Sequence, residues 1–157
     1  MKEVFVVSAA RTPVGKQKGY LREWIAPELL AYSLNASVDR AGIDPAKVDD
    51  VIAGTVYQVG EQSFTLARMS ILASKLPESV PGISVNRQCG SSLSAIQMAA
   101  AMIASGTMDC VIAAGCEMMT KYGMISDMNG TLHNGKPMGH PFGKFYIDKF
   151  GIPDQIG

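Results

Sequence analysis

The amino-acid sequence predicts an α/β fold, and three observations support this prediction. Short runs of β-branched residues alternate with longer segments whose apolar residues recur at helical spacing. Turn-forming Pro, Gly and Asp residues separate the two kinds of segment. The last run, "DCVIAAG", is apolar on consecutive residues, which is typical of a strand in a parallel sheet. Strands that alternate with helices form β-α-β units with parallel pairing and right-handed crossovers.

Four strands and three helices follow in order along the chain. The predicted strands are 3–10 ("EVFVVSAA"), 51–59 ("VIAGTVYQV"), 82–88 ("GISVNRQ") and 109–115, and the predicted helices are 26–41, 65–76 and 91–105. In the first helix, Pro27 suits the first turn and Gly42 suits the C-terminal stop. The third helix carries only Ser and Gln as polar interruptions. We therefore expect it and the last strand to be buried on more than one side.

The chain is predicted to contain two regions. Residues 1–120 form one α/β domain, whereas 121–157 are rich in Gly, Met, aromatic and charged residues without a sustained period. This texture predicts an irregular excursion. No further strand follows the apolar run at 109–115, although the edge of such a sheet needs cover. We expect the chain to be interrupted before a closing strand.

The composition excludes several classes of partner. Lys+Arg and Asp+Glu both number 14, and no basic run could neutralise a row of phosphates, so no nucleic-acid partner is expected. Hydrophobic residues make up 47% of the chain, which is typical of a globular protein. The N-terminus lacks the apolar core of a signal peptide, and no apolar run is long enough to span a bilayer. These features predict a soluble cytoplasmic protein without a membrane partner.

The three cysteines are predicted to be reduced thiols. Their odd number and the absence of C-x-x-C spacing argue against a disulfide framework and against a zinc site, so no metal is expected. Cys110 and Cys116 lie in or just after the last predicted strand, where a cysteine most often acts as a small core residue. Both are therefore interpreted as structural thiols.

Cys89 has a different setting, at a strand-to-helix corner in "SVNRQCGSSLSAIQ". Gly90 is expected to allow a tight turn, and Ser91 and Ser92 to cap the helix that follows. A buried structural thiol is one interpretation of this residue too. The corner favours a second interpretation, in which the thiol points towards a cleft as a nucleophile.

A nucleophilic Cys89 would need an activating partner. A free thiol is only about 3% thiolate at pH 7, and lowering its pKa to 7 takes about 2 kcal/mol. A helix N-terminus supplies roughly 0.3 to 1 kcal/mol, or ~2 in favourable geometry, so a histidine partner is expected as well. The two histidines, His133 and His140, lie in the irregular region and are predicted to be solvated loop residues rather than the base.

Two charged residues flank the predicted corner and the last strand. Arg87 next to Cys89 either orients a carboxylate or lies on the surface. Glu117, just past the last strand, is predicted to be a hydrogen-bond acceptor rather than a general base.

Three segments together carry a family resemblance. "VNRQCGSSLSAI" resembles the active-site cysteine motif of thiolases, "IAAGCEMMT" resembles a downstream signature of that family, and "VVSAARTPVGKQKGYL" resembles its N-terminal segment. They occur in the family's order, and the resemblance extends to the intervening helix and the "VIAGTV" strand, so that it covers nearly the whole chain. The resemblance implies the N-terminal half of a layered αβαβα fold, in which 121–157 begin the loop and oligomerisation region before a C-terminal half. Departures from the common pattern occur at Ser92, Ser94, Ala114 and Met118, and they put the substrate preference in doubt.

The resemblance also implies a reaction. Cys89 would be acylated by an acyl-CoA, and a second acetyl-CoA would attack the acyl-enzyme, or the reverse would cleave a 3-ketoacyl-CoA, as in fatty acid metabolism. Coenzyme A is then a substrate, and no cofactor is permanently bound. Ile156 is expected near the pantetheine channel. The family's second cysteine and histidine belong to its second half, and the "GHP" around His140 matches the family motif in letters only, so the isolated chain is expected to be inactive.

Other interpretations remain open. The chain could be a non-catalytic split half that binds a complementary C-terminal half, or part of a ketosynthase-type condensing enzyme, which shares the fold and the acylated cysteine. In the full-length form, the resemblance implies a homodimer or homotetramer.

Overall fold

The computed structural model describes residues 2–128, 130–138 and 144–151. The predictions for His140 and Ile156 therefore lie outside the described residues. The chain divides into two compact units, Met1–Met124 and Ile125–Gly157. Each is considered by itself below.

The first unit is built on a three-stranded parallel sheet. Its strands are β1 (Asp50–Gly54), β2 (Gly82–Val85) and β3 (Val111–Gly115), in the order β2-β1-β3. Its helices are α1 (Ala26–Ala41), α2 (Leu66–Leu72) and α3 (Ser91–Ser105). The registers of β1 against β2 and of β1 against β3 are both parallel, which confirms the predicted α/β class.

Alternation along the strands divides the core into two clusters. Val51 and Ala53 of β1 pack in the cluster that contains α1 and α2, whereas Ile52 packs with Ala95 and Ala99 of α3. Successive side chains of a strand point to opposite faces of its sheet. Helices therefore cover both faces, in a layered α/β/α arrangement.

The predicted boundaries of α1 are confirmed. Pro27 lies in the first turn, and Gly42 ends the helix in the left-handed conformation with φ of 64°. The Glu61 carboxylate accepts the Ala26 N–H at 2.9 Å and also pairs with Lys121 at 3.0 Å. A side chain distant in sequence thus satisfies one of the free N–H groups at the start of this helix.

The predicted strand 51–59 is too long, because the chain leaves the sheet after Gly54. Thr55 still donates its N–H to the Val85 carbonyl at 3.2 Å. The next two amides, of Val56 and Tyr57, instead donate to the Glu117 carboxylate. A side chain has replaced the neighbouring strand as the hydrogen-bond partner, so the strand stops there.

The predicted first strand, 3–10, is wrong. No strand is assigned there, and Phe5, Val6 and Val7 are exposed. The segment is tied down by the Lys2 N–H, which donates to the Ala104 carbonyl, and by Arg40, which donates to the Ala9 carbonyl. A strand requires a partner for its ladder, and none pairs with this segment in the part of the chain that the structure describes.

The prediction of burial on more than one side is wrong for the third helix and holds in part for the last strand. In α3, Leu93 is 60% exposed and Ile96 is 53% exposed, while Ala95 and Ala99 are buried. β3 is only half-buried over most of its length, and within the described residues it pairs with β1 alone. Residues of β3 pack in both core clusters, so helices lie on both of its faces, whereas the described residues leave one side of α3 uncovered.

In its described residues, the second unit contains one short helix, α4 (Lys144–Phe150), and a turn at 131–137. Thr131 forms an antiparallel bridge with Pro137, and the Lys149 ammonium lies 5.3 Å from the centre of the Phe150 ring. Across the described ranges of both units, no helix has the length and apolar character needed to cross a bilayer.

Candidate functional site

Three loops meet where the parallel strands end. They are 55–62 after β1, 86–90 after β2 and 116–118 after β3. In open α/β sheets, the crevice beyond the carboxyl ends of the strands is the usual place for a ligand. Cys89 lies in the second of these loops, immediately before α3.

Two strand-end glycines let the start of α3 approach the sheet closely. A Cβ atom on Gly54 would lie 2.6 Å from the Ser91 carbonyl carbon, and one on Gly115 would lie 2.8 Å from the Gly54 carbonyl oxygen. The Gly115 position would also overlap the Ser92 hydroxyl. The loop that carries Cys89 is therefore held against the ends of β1 and β3 because both positions lack a side chain.

The tight turn before α3 is formed by Gln88 rather than by Gly90. Gln88 has φ of 48°, in the left-handed region, whereas Gly90 has φ of −95°, which any residue adopts. The expected role of Gly90 is therefore wrong. A left-handed residue other than glycine costs about 1 to 3 kcal/mol and persists only where its surroundings hold it. This strained residue directly precedes Cys89.

The expected capping of α3 by serine is also wrong, because the N-cap is Gly90 and no side chain caps the helix. The Ser91 hydroxyl instead donates to the Gln88 carbonyl at 2.6 Å and accepts the Arg87 N–H at 2.9 Å. These two hydrogen bonds stabilise the turn from within the 87–91 segment. Ser91 thus holds the backbone on both sides of Gln88.

Asn86 connects this turn to the loop after β1. Its side-chain oxygen accepts the Gln88 N–H at 2.9 Å, and its side-chain nitrogen donates to the Val56 carbonyl at 2.7 Å. Both polar groups of the amide are therefore used. The left-handed residue beside Cys89 is joined through one side chain to a neighbouring loop.

Glu117 organises the loop after β1, as the predicted acceptor role requires. One carboxylate oxygen accepts the Val56 N–H at 2.7 Å, and the other accepts the Tyr57 N–H at 3.3 Å and the Gln62 amide at 2.9 Å. Gln62 is 0% exposed and also donates to the Tyr57 carbonyl at 2.7 Å. Its oxygen accepts the Met118 N–H, so this buried amide also uses both polar groups.

The three thiols differ in accessibility. Cys89 is exposed, whereas Cys110 and Cys116 are half-buried. Burial and the nearby carboxylates of Glu117 and Glu61 raise the pKa of Cys116 to about 11. Burial, followed by the charge of Asp49, also raises the pKa of Cys110. Both are neutral thiols at physiological pH, as expected of structural cysteines.

The structure also describes two further candidate residues, His133 and Arg87. His133 is exposed in a turn of the second unit, in agreement with a solvated loop residue, and the sequence of the first unit contains no histidine. Arg87 is exposed, and its guanidinium contacts the Gln97 side chain at 3.5 Å rather than a carboxylate.

A cavity of about 510 Å³ lies between the N-terminal segment, α1 and the loop after β3. Three basic residues, Arg11, Lys16 and Arg22, are among its lining residues, but Cys89 is not. Within the described ranges, no cluster of three His, Cys, Asp or Glu residues could hold a metal ion.

Sequence reasoning missed Asn86 and Gln62. Neither belongs to a periodic pattern, and their hydrogen-bond partners lie as far as 30 residues away for Asn86 and 56 residues away for Gln62. One local signal was available for Asn86, because an Asn side chain often accepts the N–H of the residue two positions later. Gln62 carried no such signal.

Comparison with known proteins gives consistent matches over this chain. Residues 4–154 match the family model described as thiolase, N-terminal domain. The steroid 3-ketoacyl-CoA thiolase of Mycobacterium tuberculosis is 46% identical over 128 residues, which are 82% of this chain and 31% of that protein. The β-ketoadipyl-CoA thiolase of Pseudomonas aeruginosa is 43% identical over 121 residues, which are 76% of this chain and 30% of that protein.

A solved structure matches as well. The crystal structure of the Bacillus anthracis acetyl-CoA acetyltransferase superposes with a TM-score of 0.70 at 36% sequence identity, over 73% of this chain and 29% of that chain. The chain thus spans about 30% of the length of the relatives it matches.

Proposed function

Because the chain belongs to the thiolase family, we propose that it supplies the nucleophile half of a thiolase-type acyltransferase, with Cys89 as the residue that accepts the acyl group. The substrate is an acyl-CoA thioester, and coenzyme A is released rather than retained as a cofactor. Chain-length preference depends on residues that line the acyl site in the complete enzyme. A homodimer or homotetramer is proposed for that complete form.

The observation that carries this proposal is the setting of Cys89. It is an exposed thiol at the carboxyl ends of a parallel sheet, directly after a residue held in the left-handed conformation. Strained backbone of this kind is concentrated at functional sites. The other two cysteines are half-buried with raised pKa values, so neither competes as a nucleophile near neutral pH.

The acylation step balances within the proposed pair of reactants. The Cys89 sulfur, as thiolate, forms a bond to the thioester carbonyl carbon. The bond between that carbon and the coenzyme A sulfur breaks, and coenzyme A leaves with the electron pair and takes up a proton from solvent. The product is an acyl thioester on Cys89. Carbon–carbon bond formation then needs a further acid–base pair, and the first unit has no histidine to contribute.

Incubation with acetyl-CoA followed by peptide mass spectrometry tests this proposal. We expect one acetyl group on Cys89 and none on Cys110 or Cys116. Trypsin leaves all three cysteines in one peptide, because no Lys or Arg lies between Arg87 and Lys121, so fragment ions must locate the group. The control is Cys89→Ser, which should show no thioester adduct.

The adduct should be released by a low-molecular-weight thiol at neutral pH, as expected for a thioester. An adduct confined to Cys110, Cys116 or lysine side chains, or no adduct at all, would contradict the proposed role of Cys89.

A second candidate function is assembly with a complementary polypeptide. Leu93, Ile96, Ala100 and Ile103 follow one another at helical spacing along α3, and the first two are more than half exposed. Soluble monomers rarely expose a continuous apolar stripe of this kind, and such stripes mark interaction surfaces. We propose that this stripe packs against the remaining part of a thiolase.

Dye binding and sedimentation test the second candidate. The 157-residue chain should bind a hydrophobic dye and sediment as an associating species, and a Leu93→Lys, Ile96→Lys variant should lose both properties. A matched Tyr32→Lys variant, at an exposed position of α1, should keep them. A compact wild-type monomer that binds no dye would rule this function out.

A further inference from the structure

We propose that Asn86 is a positioning residue for Cys89. Its side chain connects the loop after β1 to the turn that precedes the nucleophile, so the position of that loop helps to fix the position of Cys89. This inference rests on the proposed acyl transfer for its functional meaning. Its physical basis is a continuous series of hydrogen bonds from Glu117 to the residue before Cys89.

The series begins at a fixed point. The Glu117 carboxylate holds the Val56 N–H at 2.7 Å, and Gln62, which is fully buried, holds the same carboxylate. Because the carboxylate is bound from several directions, Val56 has little freedom to move. A charged acceptor also strengthens each of these hydrogen bonds relative to a neutral one.

Asn86 carries this placement to the turn. Val56 uses its N–H towards Glu117 and its carbonyl towards the Asn86 side-chain nitrogen, so the same peptide segment is held from two sides. The Asn86 oxygen then fixes the Gln88 N–H at 2.9 Å. Ser91 holds the Gln88 carbonyl at 2.6 Å. Both backbone polar groups of the left-handed residue are thus held by side chains.

Loss of one of these bonds should release the turn without unfolding the sheet. The sheet hydrogen bonds of β1, β2 and β3 do not involve Asn86, and its side chain is exposed. The Gln88 residue could then relax towards the right-handed region, which would rotate Cys89 relative to the start of α3. Acyl transfer passes through a charged tetrahedral intermediate and is therefore sensitive to such a rotation. Alkylation of a thiol forms no such intermediate.

The test compares Asn86→Ala with Asn86→Asp and with Asn35→Ala. Aspartate keeps an oxygen acceptor for the Gln88 N–H but cannot donate to the Val56 carbonyl. Asn35 is the matched control, because its side-chain oxygen accepts the Lys75 N–H at 2.9 Å in the same unit but has no bond to the Cys89 loop.

Three rates are measured on the 157-residue chain: acetylation of Cys89 by S-phenyl thioacetate, alkylation of Cys89 by iodoacetamide, and hydrogen exchange of the Gln88 amide. We expect Asn86→Ala to slow acetylation about tenfold, with alkylation within about twofold of wild type. Exchange at Gln88 should accelerate about tenfold. Asn86→Asp should restore part of the acetylation rate and part of the protection of the Gln88 amide from exchange. Asn35→Ala should change none of the three rates.

Unchanged acetylation in Asn86→Ala overturns the proposal, as does an equal loss of acetylation in Asn35→Ala. If the wild-type chain is not acetylated at Cys89, the proposed function fails. The exchange rate of the Gln88 amide then tests by itself whether Asn86 holds the turn. Faster exchange at Gln88 in Asn86→Ala then supports the hold by Asn86, and unchanged exchange overturns it.

Discussion

Substitution of Gly54 by alanine is expected to destabilise the first unit by about 3 kcal/mol, because the added methyl group overlaps backbone rather than a flexible side chain. It would lie 2.6 Å from the Ser91 carbonyl carbon and 2.8 Å from the Ser92 Cα, and it would also overlap the Ser92 amide nitrogen. Relief requires α3 to shift away from the end of β1. The midpoint of thermal unfolding should fall by about 10 °C.

Gly123→Ala is the matched control for this substitution. Nothing lies within 4 Å of a Cβ atom at that position, and its backbone is not in the left-handed region. It should leave the unfolding midpoint within about 2 °C of wild type. A Gly54→Ala variant that melts with the control would contradict the close packing of α3 on the strand ends.

The shift of α3 in Gly54→Ala should also displace Cys89. Ser91 both contacts Gly54 through its backbone and holds the turn at Gln88 through its hydroxyl. A displaced α3 would therefore move Cys89 as well, and acetylation of Cys89 should fall in Gly54→Ala more than in Gly123→Ala, at a temperature where both remain folded.

The helices and the buried strands were predictable because burial imposes a period on the sequence. α1 begins and ends at the predicted residues, where Pro27 and Gly42 supply local signals. α3 also has its predicted bounds of 91–105. The segment 3–10 has the same β-branched composition as a strand, but pairing depends on a partner elsewhere. The sequence of 3–10 predicts an apolar run. It cannot predict strand pairing, because hydrogen bonding between strands requires a second segment.

The candidate site was likewise predictable only in part. The corner at Cys89 and the acceptor role of Glu117 followed from their positions at strand ends, where loops gather. The left-handed conformation of Gln88 could not be predicted, because glutamine has no preference for it. That conformation depends on Asn86 and Ser91 together, and the Asn86 side chain depends in turn on Val56. Single hydrogen bonds between distant segments leave no periodic trace in the sequence.

Removal of the Glu117 carboxylate is expected to have the second large effect. Glu117→Ala leaves the Val56 and Tyr57 N–H groups without their acceptor and frees one donor of the fully buried Gln62. Each buried donor that loses its partner costs about 1 to 3 kcal/mol, so the total loss in unfolding free energy should be about 3 kcal/mol once solvent reaches part of the loop. Chemical denaturation measures this loss directly.

Two further variants separate the hydrogen bonds from the charge. Glu117→Gln keeps the shape and one acceptor oxygen but directs an NH₂ group towards N–H donors, so it should cost about 1 to 2 kcal/mol. Glu23→Ala removes an exposed carboxylate paired with Arg22 and should cost at most about 1 kcal/mol. Equal losses in Glu117→Ala and Glu23→Ala would contradict the central role of Glu117. Because Val56 also connects to Asn86, the Glu117 variants should slow acetylation of Cys89 even though Glu117 has no direct hydrogen bond to the turn.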